Sequence, residues 1–119
     1  MSNTTYRTHQ DQAFDTVAPG VEICVLRRHA GAPGAPRGPA VLAGSTIVFR
    51  MAKGARAPLH DHPGGEETYL VSGRLRVGER TLSAGDYLWT APGEVHDGFA
   101  EEASVFFVVL PDGLRLAGT

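Results

Sequence analysis

At 119 residues and 42% apolar side chains, the chain suits one compact domain with its own core and is too short for two. The net charge of −2 excludes the strongly basic character of nucleic-acid or anionic-membrane binders. The lone cysteine, Cys24, excludes an internal disulfide and a thiolate-rich zinc site, and its place in the apolar run 21–26 marks it as a buried structural thiol.

Charge is distributed unevenly. Residues 1–56 carry 7 basic and 3 acidic side chains, and residues 57–119 carry 4 and 10, so the second half offers the potential that draws a cation. The first 20 residues are polar and hold no apolar leader segment. No apolar stretch approaches the ~18 residues a membrane-spanning helix needs. A cytoplasmic protein with no membrane or nucleic-acid partner is the expectation.

In chain order, residues 1–18 read as a polar N-terminal arm or a loosely attached strand. Val21–Arg28 reads as the first regular strand. Residues 30–40, punctuated by prolines and glycines, read as a surface loop. The β-branched and apolar run 46–51 predicts a second strand. Turn signals then recur at Pro63-Gly64-Gly65, Ser72-Gly73, Gly78, Ala84-Gly85, Pro92-Gly93 and Pro111-Asp112-Gly113. Between them lie short runs at 66–71, 75–77, 80–82, 87–90, 95–99 and 104–110. No apolar stripe holds helical spacing. Many short strands at regular intervals predict an all-β sandwich or barrel.

The residues that carry chemistry are histidines and carboxylates. His60 and His62 are two apart, which on an extended chain places both imidazoles on one face. The Pro63-Gly64-Gly65 turn lets Glu66 return a carboxylate toward them, and His96 follows the Pro92-Gly93 turn as a fourth donor. Three imidazoles and one carboxylate suit a divalent transition metal. Glu67 competes with Glu66 for the carboxylate role, but on a strand it points to the opposite face. His9 and His29 lie outside any ligand spacing and are expected in solvent. Asp61 and Asp97, each beside a ligand histidine, are expected to face away from the metal into solvent. Trp89, Tyr87, Tyr69, Phe49, Phe99, Phe106 and Phe107 are expected mostly in the core, with Tyr69, Phe49 and Met51 as candidates to line a cavity. Arg50 and Arg56 are expected on the surface, with binding of an anionic substrate as the alternative.

The segment from Gly54 to Gly73 resembles the first motif of the cupin superfamily, G-x5-H-x-H-x3/4-E-x6-G, at every defined position: Gly54, His60, His62, Glu66 and Gly73. The second motif, G-x5-P-x-G-x2-H-x3-N, is matched at Gly85, Gly93 and His96. It departs at the proline, here Pro92 and one residue late, and at the terminal asparagine, here Ala100. The resemblance covers roughly residues 45–110, and the run His-x-His-Pro-Gly-Gly-Glu-Glu is similar to the branch holding ChrR-type cupin domains and small dioxygenase-like cupins. It implies a single double-stranded β-helix (jelly-roll) barrel over 1–119, with one metal ion held by His60, His62, Glu66 and His96. The ion would be iron, manganese or zinc, with nickel or copper as further options.

On that reading the chain is a metal-dependent small-molecule enzyme, with oxidoreductase chemistry of the dioxygenase kind on a metal-chelating substrate. Six-coordination would leave two positions open for it. The alternative is a non-catalytic zinc-binding sensor or ligand-binding module, whose four ligands close a tetrahedral site. An anti-sigma role of the ChrR type calls for an N-terminal helical domain that residues 1–119 do not supply. No separate catalytic base is identified. The resemblance also implies a homodimer, for which residues 1–18 could provide a swapped strand.

Overall fold

The computed structural model of the chain describes residues 3–29 and 41–116. Alternation and turn chemistry dominate the architecture. Where polar and apolar residues alternate, strands form. Where a glycine can take positive φ, as at Gly73 (φ 95°) and Gly85 (φ 91°), the chain reverses. Twelve strands run along the described chain: β1 (Asp15–Ala18), β2 (Val21–Arg28), β3 (Val41–Leu42), β4 (Ser45–Met51), β5 (Arg56–Asp61), β6 (Glu66–Ser72), β7 (Arg74–Val77), β8 (Arg80–Ser83), β9 (Tyr87–Thr90), β10 (His96–Ala100), β11 (Ser104–Leu110) and β12 (Leu114–Leu116). The helical content among the described residues is one 3-10 turn, His9–Asp11, closed by a reciprocal capping box between Thr8 and Asp11.

Two six-stranded antiparallel sheets form the two layers of a jelly roll. One has the order β1-β2-β4-β11-β6-β9 and the other β3-β12-β5-β10-β7-β8. Strand β11 alternates buried and half-buried residues along its whole length, as a central strand with one face on the core should. The core lies between the layers. Ile47, Met51, Leu70, Phe106, Val108 and Leu110 come from the first sheet, and Leu75, Val77, Leu82 and Ala100 from the second. Burying each of the larger side chains contributes about 1.5–3 kcal/mol.

The expected strands at 21–28, 87–90 and 104–110 are found with those limits, and the remaining expected runs are found within one residue at either end. Residues 15–18 of the expected arm form an edge strand, with Asp15 opposite Ile23 and Thr16 opposite Glu22 of the same chain. Strand β12 lies beyond the last expected strand and pairs with β5, placing Leu116 opposite His60. The expected loop at 30–40 lies outside the described residues. No helix among the described residues is long and apolar enough to cross a membrane.

Candidate metal centre

Two sheets and one turn bring the four candidate ligands together. His60 near the end of β5 and His96 at the start of β10 are directly opposed across the ladder of the second sheet. His62 lies just past β5, on the turn that crosses to the first sheet, where Glu66 opens β6. That turn is closed by the Gly65 amide donating to the His62 carbonyl at 2.9 Å. The ring centroids of His60, His62 and His96 lie 4.6–4.8 Å from one another, and the candidate donor atoms of all four residues fall within 4.8 Å.

Hydrogen bonding orients the group. His60 Nδ1 donates to the Pro58 carbonyl at 2.7 Å. A carbonyl only accepts, so this contact puts the proton on Nδ1 and leaves the Nε2 lone pair free. Glu66 Oε1 accepts from the Thr68 hydroxyl at 3.1 Å, and Thr68 is itself buried two positions along the same strand face. His96 Nε2 lies 3.8 Å from Glu66 Oε1, and His62 Nε2 lies 3.3 Å from Glu66 Oε2. His62 has no exposed surface, and neither of its ring nitrogens makes a hydrogen bond. Leaving a buried polar group unpaired costs about 1–3 kcal/mol. Three imidazoles and a carboxylate, with one imidazole otherwise unsatisfied, fit the donor set of a divalent transition metal, and this group could hold such an ion.

Electrostatics prepare the same atoms. Burial pulls His96 down to about 4, and His60 and His62 beside it push in the same direction. Burial also lowers His60, against the raising effect of its bond to Pro58. Both rings are therefore neutral near pH 7, the form a metal needs. Burial pushes the Glu66 carboxyl up, but the contact with His62 and electrostatic attraction to the three surrounding imidazoles outweigh it and hold the group below its ordinary value.

Next to the group lies a cavity of about 290 Å3, bordered by His60, Glu66, Thr68 and His96 and otherwise mostly apolar. Phe49 and Met51 line it, as expected. Their neighbour Phe106 stacks on Phe49 at 4.8 Å with an interplanar angle of 8°.

Several expectations are corrected. Tyr69, Tyr87 and Trp89 are not core residues: they stand on the outer face of β6 and β9 and are about half exposed. Strand β9 is an edge strand, and its alternation turns both aromatics outward. Glu67 shares that outer face and accepts from the Tyr87 hydroxyl at 2.8 Å, which raises the tyrosine. Asp61 and Asp97 are not simply solvated. Asp61 pairs with Arg115 at 3.0 Å across β5 and β12, and Asp97 borders the cavity and pairs with both terminal nitrogens of Arg76 at 3.3 Å, which holds its carboxyl below the ordinary value. His29 bonds the Thr46 hydroxyl at 2.8 Å, while His9 is exposed as expected. Arg50 faces outward onto Glu22 and the Phe14 ring, and Arg56 lies over the Phe99 ring. Cys24 is buried, as expected.

Sequence reasoning missed Thr68 and the Pro58 carbonyl. The period of two along β6 marks Thr68 as a same-face neighbour of Glu66, whereas the Pro58 contact depends on the local path of β5.

Comparison with known proteins agrees with this fold. The ChrR cupin-like domain family matches residues 2–112. Among solved structures, an RmlC-like cupin protein from Ralstonia eutropha JMP134 superposes with a TM-score of 0.74 at 19% identity, covering 94% of this chain and 71% of that one. A putative acetylacetone dioxygenase from Methylibium petroleiphilum PM1 gives 0.73 at 18% identity, with 93% and 78% covered. A chain of the Rhodobacter sphaeroides complex of SigE with the anti-sigma ChrR gives 0.66 at 22% identity, covering 87% of this chain and 52% of that one. No curated protein sequence matches. The chain belongs to the ChrR cupin-like family, with the jelly-roll fold of the cupins.

Proposed function

We propose that the chain is a metal-dependent small-molecule enzyme that holds one divalent transition-metal ion through His60, His62, Glu66 and His96 and carries out an oxygenase-type reaction on a chelating substrate. The observation that carries this reading is the contact between the ligand group and the cavity. Three of the four candidate ligands border open space, while His62 lies fully buried behind them. An ion bound here would act as a Lewis acid, or as an electron carrier if iron or manganese.

The chain's own residues supply the rest. The Pro58 carbonyl keeps the His60 proton on Nδ1, Thr68 steadies one Glu66 oxygen, and the apolar walls exclude water. The names of some structural neighbours, the acetylacetone dioxygenases among them, support oxygenase chemistry by likeness of fold. Glu67 is not a base for the reaction, because it lies on the outer face of β6.

The test is elemental analysis of protein purified without chelator, alongside His60→Ala, His62→Ala and His96→Ala. About one equivalent of iron or manganese, lost in each variant, is expected, with oxygen uptake on chelating substrates. Wild-type protein that takes up no iron, manganese, nickel, copper or zinc overturns the reading.

A second reading is a closed four-ligand zinc site in a sensor or ligand-binding module, favoured by the tight clustering of all four donors. One equivalent of tightly held four-coordinate zinc would establish it. The expected homodimer finds support in the outer face of the first sheet, where Val48, Phe107, Tyr69 and Tyr87 form a continuous row across β4, β11, β6 and β9. Light scattering that gives a monomer at micromolar concentration would overturn it.

A further inference from the structure

The cavity beside the ligand group has an unusual charge balance for a polar site. Its walls are Ile23, Phe49, Met51, Leu75, Val77 and Phe106. The polar residues bordering it are His60, Glu66, Thr68, His96 and Asp97, and no lysine or arginine is among its lining residues. Several arginines on the strands around the cavity are engaged elsewhere. Arg50 meets Glu22 and Phe14, Arg56 lies over Phe99, Arg76 binds the Gly78 carbonyl and Asp97, and Arg115 binds Asp61.

We infer that the site takes a small uncharged molecule, an apolar body of about one ring bearing a pair of oxygen donors, and rejects the same chelator when its body carries a carboxylate. This rests on the metal reading above and specifies its substrate class. The two parallel phenylalanine rings in the wall suit a flat body. The volume of about 290 Å3 lies at the low end for small-molecule sites. A carboxylate on the body would meet the Glu66 carboxylate and an Asp97 already paired with Arg76, with no lysine or arginine among the lining residues to replace its lost hydration.

The test compares 4-methylcatechol with 3,4-dihydroxybenzoate, which differ in a methyl against a carboxylate at one ring position. Each is titrated into cobalt(II)-loaded protein, followed by the cobalt absorption bands, and into metal-free protein by calorimetry. Protein-bound cobalt is measured after desalting to confirm that the ion stays in place. At least tenfold tighter binding of 4-methylcatechol is expected. Val17→Arg adds a cation at the cavity edge on a residue that is 55% exposed, so the fold tolerates it, and this variant is expected to narrow the ratio. Equal binding of the two probes, or preference for the carboxylate, overturns the inference. If neither cobalt nor iron, manganese, nickel, copper or zinc is taken up, the metal reading fails by itself. The metal-free titration then decides the cavity's preference, since 4-methylcatechol must still bind more tightly for the inference to stand.

Discussion

The indole of Trp89 lies directly against Gly65, so that a Cβ built on residue 65 would collide with the six-membered ring. Gly65 also has φ of 81°, a left-handed conformation that disfavours any other residue. On the far side of the same turn, a Cβ on Gly64 would collide with the Asp112 carboxylate. The turn that carries His62 into Glu66 is thus held between an edge-strand tryptophan and the β11–β12 connection. This gives an exposed aromatic residue a role in shaping the site. Gly65→Ala should lower stability by about 1–3 kcal/mol in urea melts, through strain and collision. Trp89→Ala should leave the far-ultraviolet circular dichroism unchanged while weakening cobalt(II) binding, and Trp89→Phe should restore part of the affinity. Unchanged cobalt affinity in Trp89→Ala would remove that role.

Thr68 donates to Glu66 Oε1 from a buried position. Thr68→Val keeps the shape and removes the donor, and the expected outcome is about 10–100-fold weaker metal binding. Thr68→Ser should stay close to wild type. Competition against a coloured chelator measures both.

His62 serves both stability and binding. Its ring is fully buried, and its closest polar neighbour is the Glu66 carboxylate, with Nε2 3.3 Å from Oε2. Removing one partner of a buried charged contact leaves the other uncompensated. His62→Leu should therefore lower the stability of the metal-free protein by about 1–3 kcal/mol and abolish the stabilisation that added metal gives the wild type. Urea midpoints with and without metal decide both halves.

The pH dependence of the metal-free protein follows from His96, whose folded-state value is about 4 against an ordinary 6.5. Between those values the unfolded chain binds a proton that the folded chain does not. Stability should therefore be full above pH 6.5 and fall as the pH drops toward 4, by up to about 3 kcal/mol. The lowered His60 acts in the same direction. Thermal melts in chelator at pH 7.5 and 5 should show the drop, and His96→Leu should flatten it.

Much of the site could be read in advance because its information is local. The spacing of His60 and His62, the Gly-Gly turn and the register from Glu66 to Gly73 all lie within one hairpin-sized segment. The period of two on β6 also separates Glu66, buried, from Glu67, exposed. Strand β5 carries a weaker signal, because Pro58 cannot donate to a ladder. The outward aromatics are not legible in the sequence, because composition does not say which strand lies at a sheet edge. Tyr87 and Trp89 have core-like side chains, but β9 has one neighbour, and its outer face is open.

The sequence by itself determined the strand pattern, the turns and the choice of the four candidate donors, because each depends on residue type and short spacing. Tertiary structure decided the rest. It placed His96 opposite His60 across a ladder 36 residues apart in sequence and laid β12 beside β5. It turned the arginines away from the cavity and closed Trp89 over Gly65. The physical reason is that pairing between distant strands is set by the packing of two whole sheets on a shared core, a condition no single segment of the chain contains.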